Sequence, residues 1–523
     1  MSAAFLSPAK SFIIDATTAL LPGLCPNSID SPMPAYHPDP IVMLSARQLS
    51  QAIHAGDLSS RQVMAAYLAH IQRINPLSNA IVALRDEDAL MKEAAAADDA
   101  LAAGKSSGWL HGVPQAPKDL AMTRGIRTTF GSPIYKDNVP ATDALIVERA
   151  RRAGAILIGK TNTPEFGLGS QTFNPVYGAT LNPYAPSRTA GGSSGGAAAA
   201  LALRMLPVAD GSDFGGSLRN PAGYCNVFGF RPSAGRVPYG PTPELFLPQL
   251  GCEGPMARTV ADLALLLSTQ AGPDARTPQA LPEDPVLAAL TPDTVAGVLE
   301  ADLKGKRVAW LGDWGGYLPM EDGILTLCEQ ALRFFPDFGV TVDAIRPPYP
   351  PEKIWQTWLV HRHFLVGNAR MALYKAEATR AQLKPEAIWE IEGALDLKAS
   401  DLYAASTDRS AWYNALQRTF ADFDYIAVPT AQVFPFDVGQ PWPKTIAGRH
   451  MDTYHRWMEV VVAWTLSGCP VISVPVGFSA EGLPMGMQLI GRPRDDLSVL
   501  RLAAAYEQAR DWVAERLPPS IDG

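Results

Sequence analysis

The chain contains few charged residues and no cluster of basic ones. Asp, Glu, Lys and Arg make up 18% of its 523 residues, and the formal net charge is -8. Proteins that bind phosphate backbones concentrate lysine and arginine on one surface. We therefore expect no nucleic-acid partner.

Long apolar runs are also missing. Asp15 interrupts the first apolar stretch, and no clean cleavage site of small residues follows it. The most apolar later stretch, residues 460–478, contains Gly468 and Pro470, which would break a spanning helix. We expect neither a secretory signal nor membrane association, and we interpret 460–478 as buried core.

Cysteine is scarce and shows no disulfide or metal-binding pattern. The chain has five cysteines that are far apart and form no Cys-x-x-Cys pair: Cys25, Cys225, Cys252, Cys328 and Cys469. His361 and His363 stand at i and i+2, which do not face each other on a helix. We expect a reduced, cytoplasmic protein with free buried thiols and no metal site.

Helical and strand patterns alternate along the chain, which is typical of the α/β class. Ser45 and Gly56 bound one predicted helix, and Ser59 or Ser60 begins another that ends near Asn75. The same reasoning gives a strand over 80–84, a helix over 86–104, a helix capped by Thr142 and Asp143 that stops near Gly154, and helices over 196–203, 353–375 and 385–396.

The distribution of proline-rich segments along the chain predicts one main domain. Residues 1–40 are rich in proline and serine without periodicity, so we expect an irregular N-terminal arm. Such an arm could pair two copies of the chain, so a homodimer remains one alternative. Residues 41–523 are expected to form a single domain. Within it, the proline-rich segment 270–305 is predicted to be a surface connection.

Three glycine-rich motifs carry the candidate chemistry: GVPQAPKD at 112–119, GGSSGG at 191–196 and DGSDFGGSLRNPA at 210–222. Together they supply Lys118 and two loops in which glycines surround serine hydroxyls. Glycine allows the close backbone approach that a nest of N–H groups requires. A serine nucleophile needs a base and an oxyanion site, so the three motifs jointly predict serine-dependent catalysis.

Two segments also match unrelated motifs. Residues 154–161, GAILIGKT, fit the P-loop string but follow a helix and are themselves an apolar strand, whereas a P-loop leads from a strand into a helix. Residues 191–195 fit the G-x-S-x-G nucleophile elbow, but no buried strand precedes them and no histidine stands in a diagnostic setting. We expect neither nucleotide binding nor a histidine-dependent triad.

Taken together, the motifs resemble those of the amidase signature hydrolases. The family pattern has a lysine in G-x-P-x-x-x-K-D, a serine in GGSSGG and a nucleophilic serine in G-S-D-x-G-G-S-x-R. Lys118, Ser193 and Ser217 occupy those positions in this chain. The resemblance implies a single large mixed β-sheet core covered by helices on both faces.

The similarity extends over roughly 45–270 and returns at 468–478 and 483–492. It is not recognisable across 280–425. Family members differ in substrate there, so we expect 280–425 to be a divergent, substrate-shaping region.

The resemblance implies a role for each motif residue. Ser217 would be the nucleophile, Ser193 a bridging hydroxyl after a cis peptide bond, and Lys118 a neutral base whose pKa burial must lower. Asp119 would point its carboxylate elsewhere. The implied oxyanion donors are the backbone N–H groups of Phe214, Gly215, Gly216 and Ser217. From their positions we expect Ser194 to be a supporting hydrogen-bonder and Asp213 and Arg219, which flank the nucleophile, to pair. We expect Gly167 and Gln171, in the segment before the cis-serine loop, to contact the substrate.

The implied reaction is hydrolysis of a small-molecule carboxylic amide to acid and amine, extending to anilides, esters, carbamates or amide oligomers. It requires no metal or organic cofactor. Two alternatives remain: the amidase subunit of a tRNA-dependent amidotransferase, which would need partner chains, and a catalytically silent binding protein on the same fold. The sequence FGGSLRNPA at 214–222 is more similar to that of free-standing amidases than to that of the amidotransferase subunit.

Overall fold

The computed structural model describes residues 36–247 and 250–522. Most of the predicted N-terminal arm, together with Cys25, lies outside the described residues. The four remaining cysteines are free and buried. No described helix is both long and apolar enough to cross a membrane.

Helices of varied length make up much of the described chain. They are α1 Pro40–Met43, α2 Ala46–Ala55, α3 Ser60–Ile74, α4 Glu87–Ala102, α5 Leu145–Arg152, α6 Gly195–Ala202, α7 Arg219–Tyr224, α8 Val260–Gln270, α9 Pro285–Ala288, α10 Val295–Leu299, α11 Ile324–Leu332, α12 Pro351–Arg362, α13 Met371–Lys375, α14 Glu377–Arg380, α15 Pro385–Asp396, α16 Ala399–Asp422, α17 Val462–Ser467, α18 Asp496–Ala509 and α19 Trp512–Glu515. A π-helical turn, His363–Gly367, continues α12.

The strands are mostly short. They are β1 Ile81–Val82, β2 Pro114–Gln115, β3 Ile156–Leu157, β4 Lys160–Thr161, β5 Phe173–Asn174, β6 Gly178–Ala179, β7 Val208–Asp213, β8 Phe228–Arg231, β9 Cys252–Ala257, β10 Arg307–Trp310, β11 Thr341–Ala344, β12 Tyr425–Pro429, β13 Thr445–Ile446, β14 Arg449–His450, β15 Val471–Phe478 and β16 Pro484–Ile490.

The longer strands form an eight-stranded sheet in the order β11-β10-β12-β16-β15-β8-β9-β7. The β10 strand pairs in parallel with β11 and β12, while the pairings from β12 through β7 are antiparallel. The sheet is therefore mixed, as the family resemblance implied. Residues 460–478 contribute α17 and the central strand β15, which confirms that this apolar stretch is core.

Helices cover both faces of this sheet near β7. Successive side chains of a strand point to opposite faces, and the neighbours Val208 and Ala209 belong to different hydrophobic clusters. The cluster of Val208 includes the leucines of α8, and the cluster of Ala209 includes the alanines of α6. The strand that precedes the second serine loop is thus packed on both sides and held rigidly.

Local capping explains the boundaries of several helices. Ser45 caps α2 and Gly56 ends it at a φ of 80°, while Ser59 caps α3, as predicted. The predicted cap of α5 is wrong. Asp143 does not cap α5, because its carboxylate pairs instead with Arg151 and accepts the Arg124 N–H.

Candidate active site

Three serine hydroxyls surround the amino group of Lys118. Lys118 follows β2, bridges to Thr161 of β4, and is buried. Its Nζ donates to the hydroxyl oxygens of Ser193 at 2.7 Å, Ser194 at 2.9 Å and Ser212 at 3.1 Å. The lysine motif, the first serine loop and the strand that leads into the second serine loop, which are distant in sequence, therefore meet at one nitrogen atom.

Burial controls the protonation of this lysine. It lowers the pKa of Lys118 to about 7, against the opposing effect of the carboxyl groups of Asp210, Asp213 and Glu253. Burial also raises the pKa of Glu253 to about 8, so Glu253 carries little charge at neutral pH. A substantial fraction of Lys118 is therefore neutral near pH 7 and has a lone pair to accept a proton.

Two neighbouring charged residues face away from Lys118 Nζ. The Asp119 carboxylate accepts the Thr129 N–H at 3.0 Å and the Thr129 hydroxyl at 2.5 Å, as the resemblance implied. Lys160, from the P-loop-like string, is also buried, and its Nζ donates to Ala121 O and Thr123 Oγ1 at 2.6 Å. Lys160 is thus bound within the protein, which agrees with the rejection of a P-loop.

The first serine loop is fixed through its own main chain. The peptide bond between Gly192 and Ser193 is cis, as the resemblance implied. The Ser170 hydroxyl donates to Gly192 O at 2.6 Å, and the Thr172 hydroxyl donates to Gly191 O at 2.9 Å. These two hydrogen bonds fix the main chain of the two residues that precede Ser193.

Close packing explains why glycine opens α6. A Cβ on Gly196 would lie 2.3 Å from Asn162 N and 2.7 Å from Ala80 O. Both are main-chain atoms that cannot move aside cheaply. Only glycine lets the helix approach this closely, and the approach brings Ser193 and Ser194 to Lys118.

Asp213 organises the second serine loop, which begins where β7 ends. Its carboxylate accepts the N–H groups of Gly216 at 2.9 Å and Leu218 at 3.1 Å, and it pairs with Arg219 at 2.9 Å. Although burial alone would raise it, the guanidinium groups of Arg219 and Arg231 hold the pKa of Asp213 well below its usual range. The predicted Asp213–Arg219 pair is present and completely buried.

This buried pair gives a stability prediction. Asp213→Asn leaves the guanidinium groups of Arg219 and Arg231 without their counter-charge, so we expect the free energy of unfolding to fall by about 3–5 kcal/mol. Urea unfolding measures the change. The matched control is Asp274→Asn, which removes the pair with the half-exposed Arg276 and should cost less than about 1 kcal/mol. Equal losses in the two variants would contradict the assignment.

Ser217 lies at the edge of the site and is 8% exposed. Its carbonyl accepts the Ser194 N–H at 3.3 Å, which joins the two serine loops. Among the described residues no hydrogen bond connects the hydroxyls of Ser217 and Ser193, so the loops meet through main chain here.

The predicted oxyanion donors need one correction. The Gly216 N–H is already engaged by Asp213 Oδ1, so it is not free to hold an oxyanion. Within the described part of the chain, the N–H groups of Phe214, Gly215 and Ser217 have no acceptor. These three remain the candidate donors.

The two predicted substrate contacts lie in different settings. Gly167 has a φ of 70°, and a Cβ on it would lie 3.4 Å from Ser193 Oγ, so Gly167 lies close to that hydroxyl. Gln171 is buried, and its Nε2 donates to Val438 O at 2.6 Å. Its Oε1 has no hydrogen-bond partner in the described structure, which leaves one polar atom of Gln171 unsatisfied.

Sequence reasoning missed three residues of this site. The Ser212 hydroxyl accepts a hydrogen bond from Lys118 Nζ, and Ser170 and Thr172 hold the carbonyls before Ser193. Ser212 could have been found, because strand alternation places it on the same face as Asp210. Ser170 and Thr172 carry no such signal, since their bonds reach a loop that is remote in sequence.

The segment 362–391 packs against the 166–168 turn and against Phe214 of the second serine loop. A small hydrophobic cluster combines Leu168, Val366 and Ile391 with the partly buried Phe166 and Phe214. Phe166 and Leu168 flank Gly167, and Phe214 is part of the second serine loop. Residues 362–391 therefore form an apolar wall against the 166–168 turn and Phe214.

Trp358 extends this wall toward the second serine loop. A Cβ on Gly215 would lie 3.2 Å from Trp358 Cζ2. The guanidinium of Arg362 lies 5.4 Å from the ring centre of Phe214 and 5.1 Å from that of Trp358. Trp355, Trp358, Trp412, Trp457 and Trp464 are buried, so these tryptophans belong to the core of the protein.

Known proteins are similar to this chain in sequence and fold over nearly its whole length. A family model described as Amidase matches residues 62–500. An acylamidase from Rhodococcus erythropolis is 33% identical over 484 residues, covering 91% of this chain and 98% of that protein. A glutamyl-tRNA(Gln) amidotransferase subunit from Chloroflexus aurantiacus is 34% identical, covering 90% and 98%.

A solved structure with a similar fold supports the relationship found by sequence. The crystal structure of a bacterial aryl acylamidase of the amidase signature enzymes superposes with a TM-score of 0.85 and 30% identity, covering 93% of this chain and all of the other.

Proposed function

We propose, because this chain belongs to the amidase family, that it hydrolyses carboxylic amides to an acid and an amine through an acyl-enzyme on Ser217. The observation that carries the proposal is the 2.7 Å contact between the buried Lys118 Nζ and the Ser193 hydroxyl, beside the Ser217 loop. A lysine whose pKa is near 7 can serve as a general base at neutral pH.

Proton transfer from the nucleophile runs through the two serines. Ser217 Oγ attacks the amide carbonyl carbon and its proton passes to Ser193, whose hydroxyl can donate and accept at once. The Ser193 proton passes in turn to neutral Lys118. As the carbon–nitrogen bond breaks, the proton returns along the same path to the leaving amine.

Backbone N–H groups stabilise the negative charge that develops on the carbonyl oxygen. Those of Phe214, Gly215 and Ser217 have no acceptor within the described chain and are adjacent to the nucleophile. Donors that are fixed before the reaction lower the barrier by roughly 2.7–4 kcal/mol each. Water then attacks the acyl-enzyme with Lys118 and Ser193 again accepting its proton, and the acid is released.

The proposed substrate carries an apolar acyl or aryl group. Phe166, Leu168, Phe214 and Val366 pack in one apolar cluster that reaches the 166–168 turn and the second serine loop, and an apolar group bound there would exclude water. The names of the related acylamidase and aryl acylamidase agree with a substrate of this kind. Anilides with an apolar acyl chain are therefore the first substrates to test.

We place the protein in the cytoplasm, since the described cysteines are free and buried rather than bridged. We also propose residues 41–523 as one domain in which 280–425 shapes the substrate pocket.

An amidotransferase component is the second candidate, since relatives with that name match 34% of aligned positions. That role needs partner chains, so turnover by the isolated protein separates the two. A silent binding protein is disfavoured because lysine and both serines are present.

Intact-mass analysis tests the proposal. Purified protein treated with a sulfonyl fluoride should gain a single adduct and lose anilide hydrolysis in proportion, because only an activated serine reacts quickly. Untreated protein assayed in parallel is the control. Absence of both adduct and turnover in the isolated protein would contradict the proposed hydrolase and favour a missing partner chain or a silent protein.

A further inference from the structure

Two cations from the divergent region bind the carbonyls on either side of Gly167. Arg370 Nη2 donates to Phe166 O at 3.1 Å, and Lys384 Nζ donates to Leu168 O at 3.0 Å. Arg370 lies between the π-helical turn and α13, and Lys384 is the residue before α15. We call this pair of contacts the carbonyl clamp.

Both cations are themselves held in place. Arg370 Nη1 donates to Val366 O at 3.1 Å, and the guanidinium lies 5.2 Å from the ring centre of Phe166. Lys384 lies 5.5 Å from the ring centre of Phe173 and 3.6 Å from the Glu386 carboxylate. Both cations of the carbonyl clamp belong to the divergent region, and further contacts hold each of them in place.

The clamped turn lies beside the bridging serine. A Cβ added to Gly167 would lie 2.8 Å from Leu120 Cδ1 and in van der Waals contact with Ser193 Oγ at 3.4 Å. The turn is short, with the Gly167 N–H bonded to Pro164 O at 2.8 Å. The hydrogen bonds to the carbonyls before and after Gly167 restrain the position of this turn next to Ser193.

We propose that Arg370 and Lys384 are positioning residues that hold the 166–168 turn against Ser193, and so keep its hydroxyl on the proton path between Ser217 and Lys118. The inference rests on the proposed role of Ser193. It links the segment that shapes the substrate pocket to the proton-transfer machinery, so the segment 366–384 would affect the rate of the chemical step as well as substrate choice.

A competing role for Arg370 is recognition of an anionic substrate. No carboxylate pairs with Arg370 in the described structure, so its charge is not neutralised within the protein. The two roles differ in what they change. A positioning residue alters kcat for every substrate, whereas an anion-binding residue alters KM for anionic substrates only.

The test compares Arg370→Met and Lys384→Met, alone and combined, on a neutral anilide and on an equally sized anilide with a carboxylate. We expect the double variant to lower kcat by roughly 10²-fold on both substrates with little change in KM, because small displacements of reacting groups have effects of this size. Arg370→Lys should recover most of the rate. The matched control Arg380→Met, which removes a cation that lies 4.1 Å from the ring centre of Tyr374, should have no effect.

A double-mutant cycle then identifies the partner through which the clamp acts. In a Ser193→Ala background the clamp has no hydroxyl to position, so Arg370→Met should no longer slow the labelling of Ser217 by a sulfonyl fluoride. The inference would be overturned if Arg370→Met slowed labelling by the same factor in the wild-type and in the Ser193→Ala background. A KM change confined to the anionic anilide would overturn it as well. Unlabelled wild-type protein would instead reject the proposed hydrolase, so the two failures are distinct.

Discussion

Ser217→Ala is expected to lower kcat for anilide hydrolysis by roughly 10⁴–10⁶-fold, the loss found when a serine hydrolase is deprived of its nucleophile. We expect no neighbouring hydroxyl to replace the attacking oxygen, because Ser193 and Ser194 are less exposed than Ser217 and are held at Lys118 Nζ, away from the edge of the site. The same variant should show no sulfonyl fluoride adduct. Initial rates and intact mass measure the two effects.

The control for this variant is Ser410→Ala, which removes an exposed hydroxyl of α16 that donates only to Ser406 O. It should retain full rate and the adduct. The unfolding transition of Ser217→Ala should stay close to that of the wild type, since the Ser217 hydroxyl forms no hydrogen bond with another residue that the structure describes. Retention of more than about 1% of turnover in a folded Ser217→Ala would place the nucleophile elsewhere.

Lys118→Met is expected to lower kcat by roughly 10²–10⁴-fold and to remove a step in the pH profile. In the wild type, kcat/KM should rise tenfold per pH unit up to about pH 7 and then level off. Below its pKa of about 7, Lys118 is protonated and cannot accept the Ser193 proton; above it, the amine is neutral. Methionine keeps much of the buried stem and has no titrating group.

Glu253→Gln is the matched control, because Glu253 is a second buried group near Lys118 with a pKa of about 8. That variant should keep the step, moved slightly to lower pH by the loss of a nearby carboxyl. If the step disappears in Glu253→Gln and persists in Lys118→Met, then Lys118 is not the base.

Much of the site was predictable because its residues belong to short motifs. Lys118, Ser193 and Ser217 stand at family positions, and the structure brings their loops together around one amino group. Their catalytic roles remain predictions. The mixed sheet followed from the same resemblance, while its strand order depends on pairings such as β12 with β16 that no local pattern reveals.

The failures came from competition between partners. Asp143 had the right type and position for a helix cap, but Arg151 took its carboxylate. The Gly216 N–H was expected to be free, but Asp213 accepts it. The predicted strand over 80–84 shortened to β1, because Ala83 turns to a φ of 47°. In each case a contact or a turn outside the reach of local patterns decided the outcome.

The contacts of Arg370 and Lys384 with the 166–168 turn also bear on protein engineering. Under the proposal that 280–425 shapes the substrate pocket, exchanging residues 362–391 for the matching stretch of another family member should change which amides are cleaved. A chimera that accepts the new substrate but omits the cations at 370 and 384 would bind well and turn over slowly. Transplants of this segment should therefore keep Arg370 and Lys384 and vary only the apolar side chains between them.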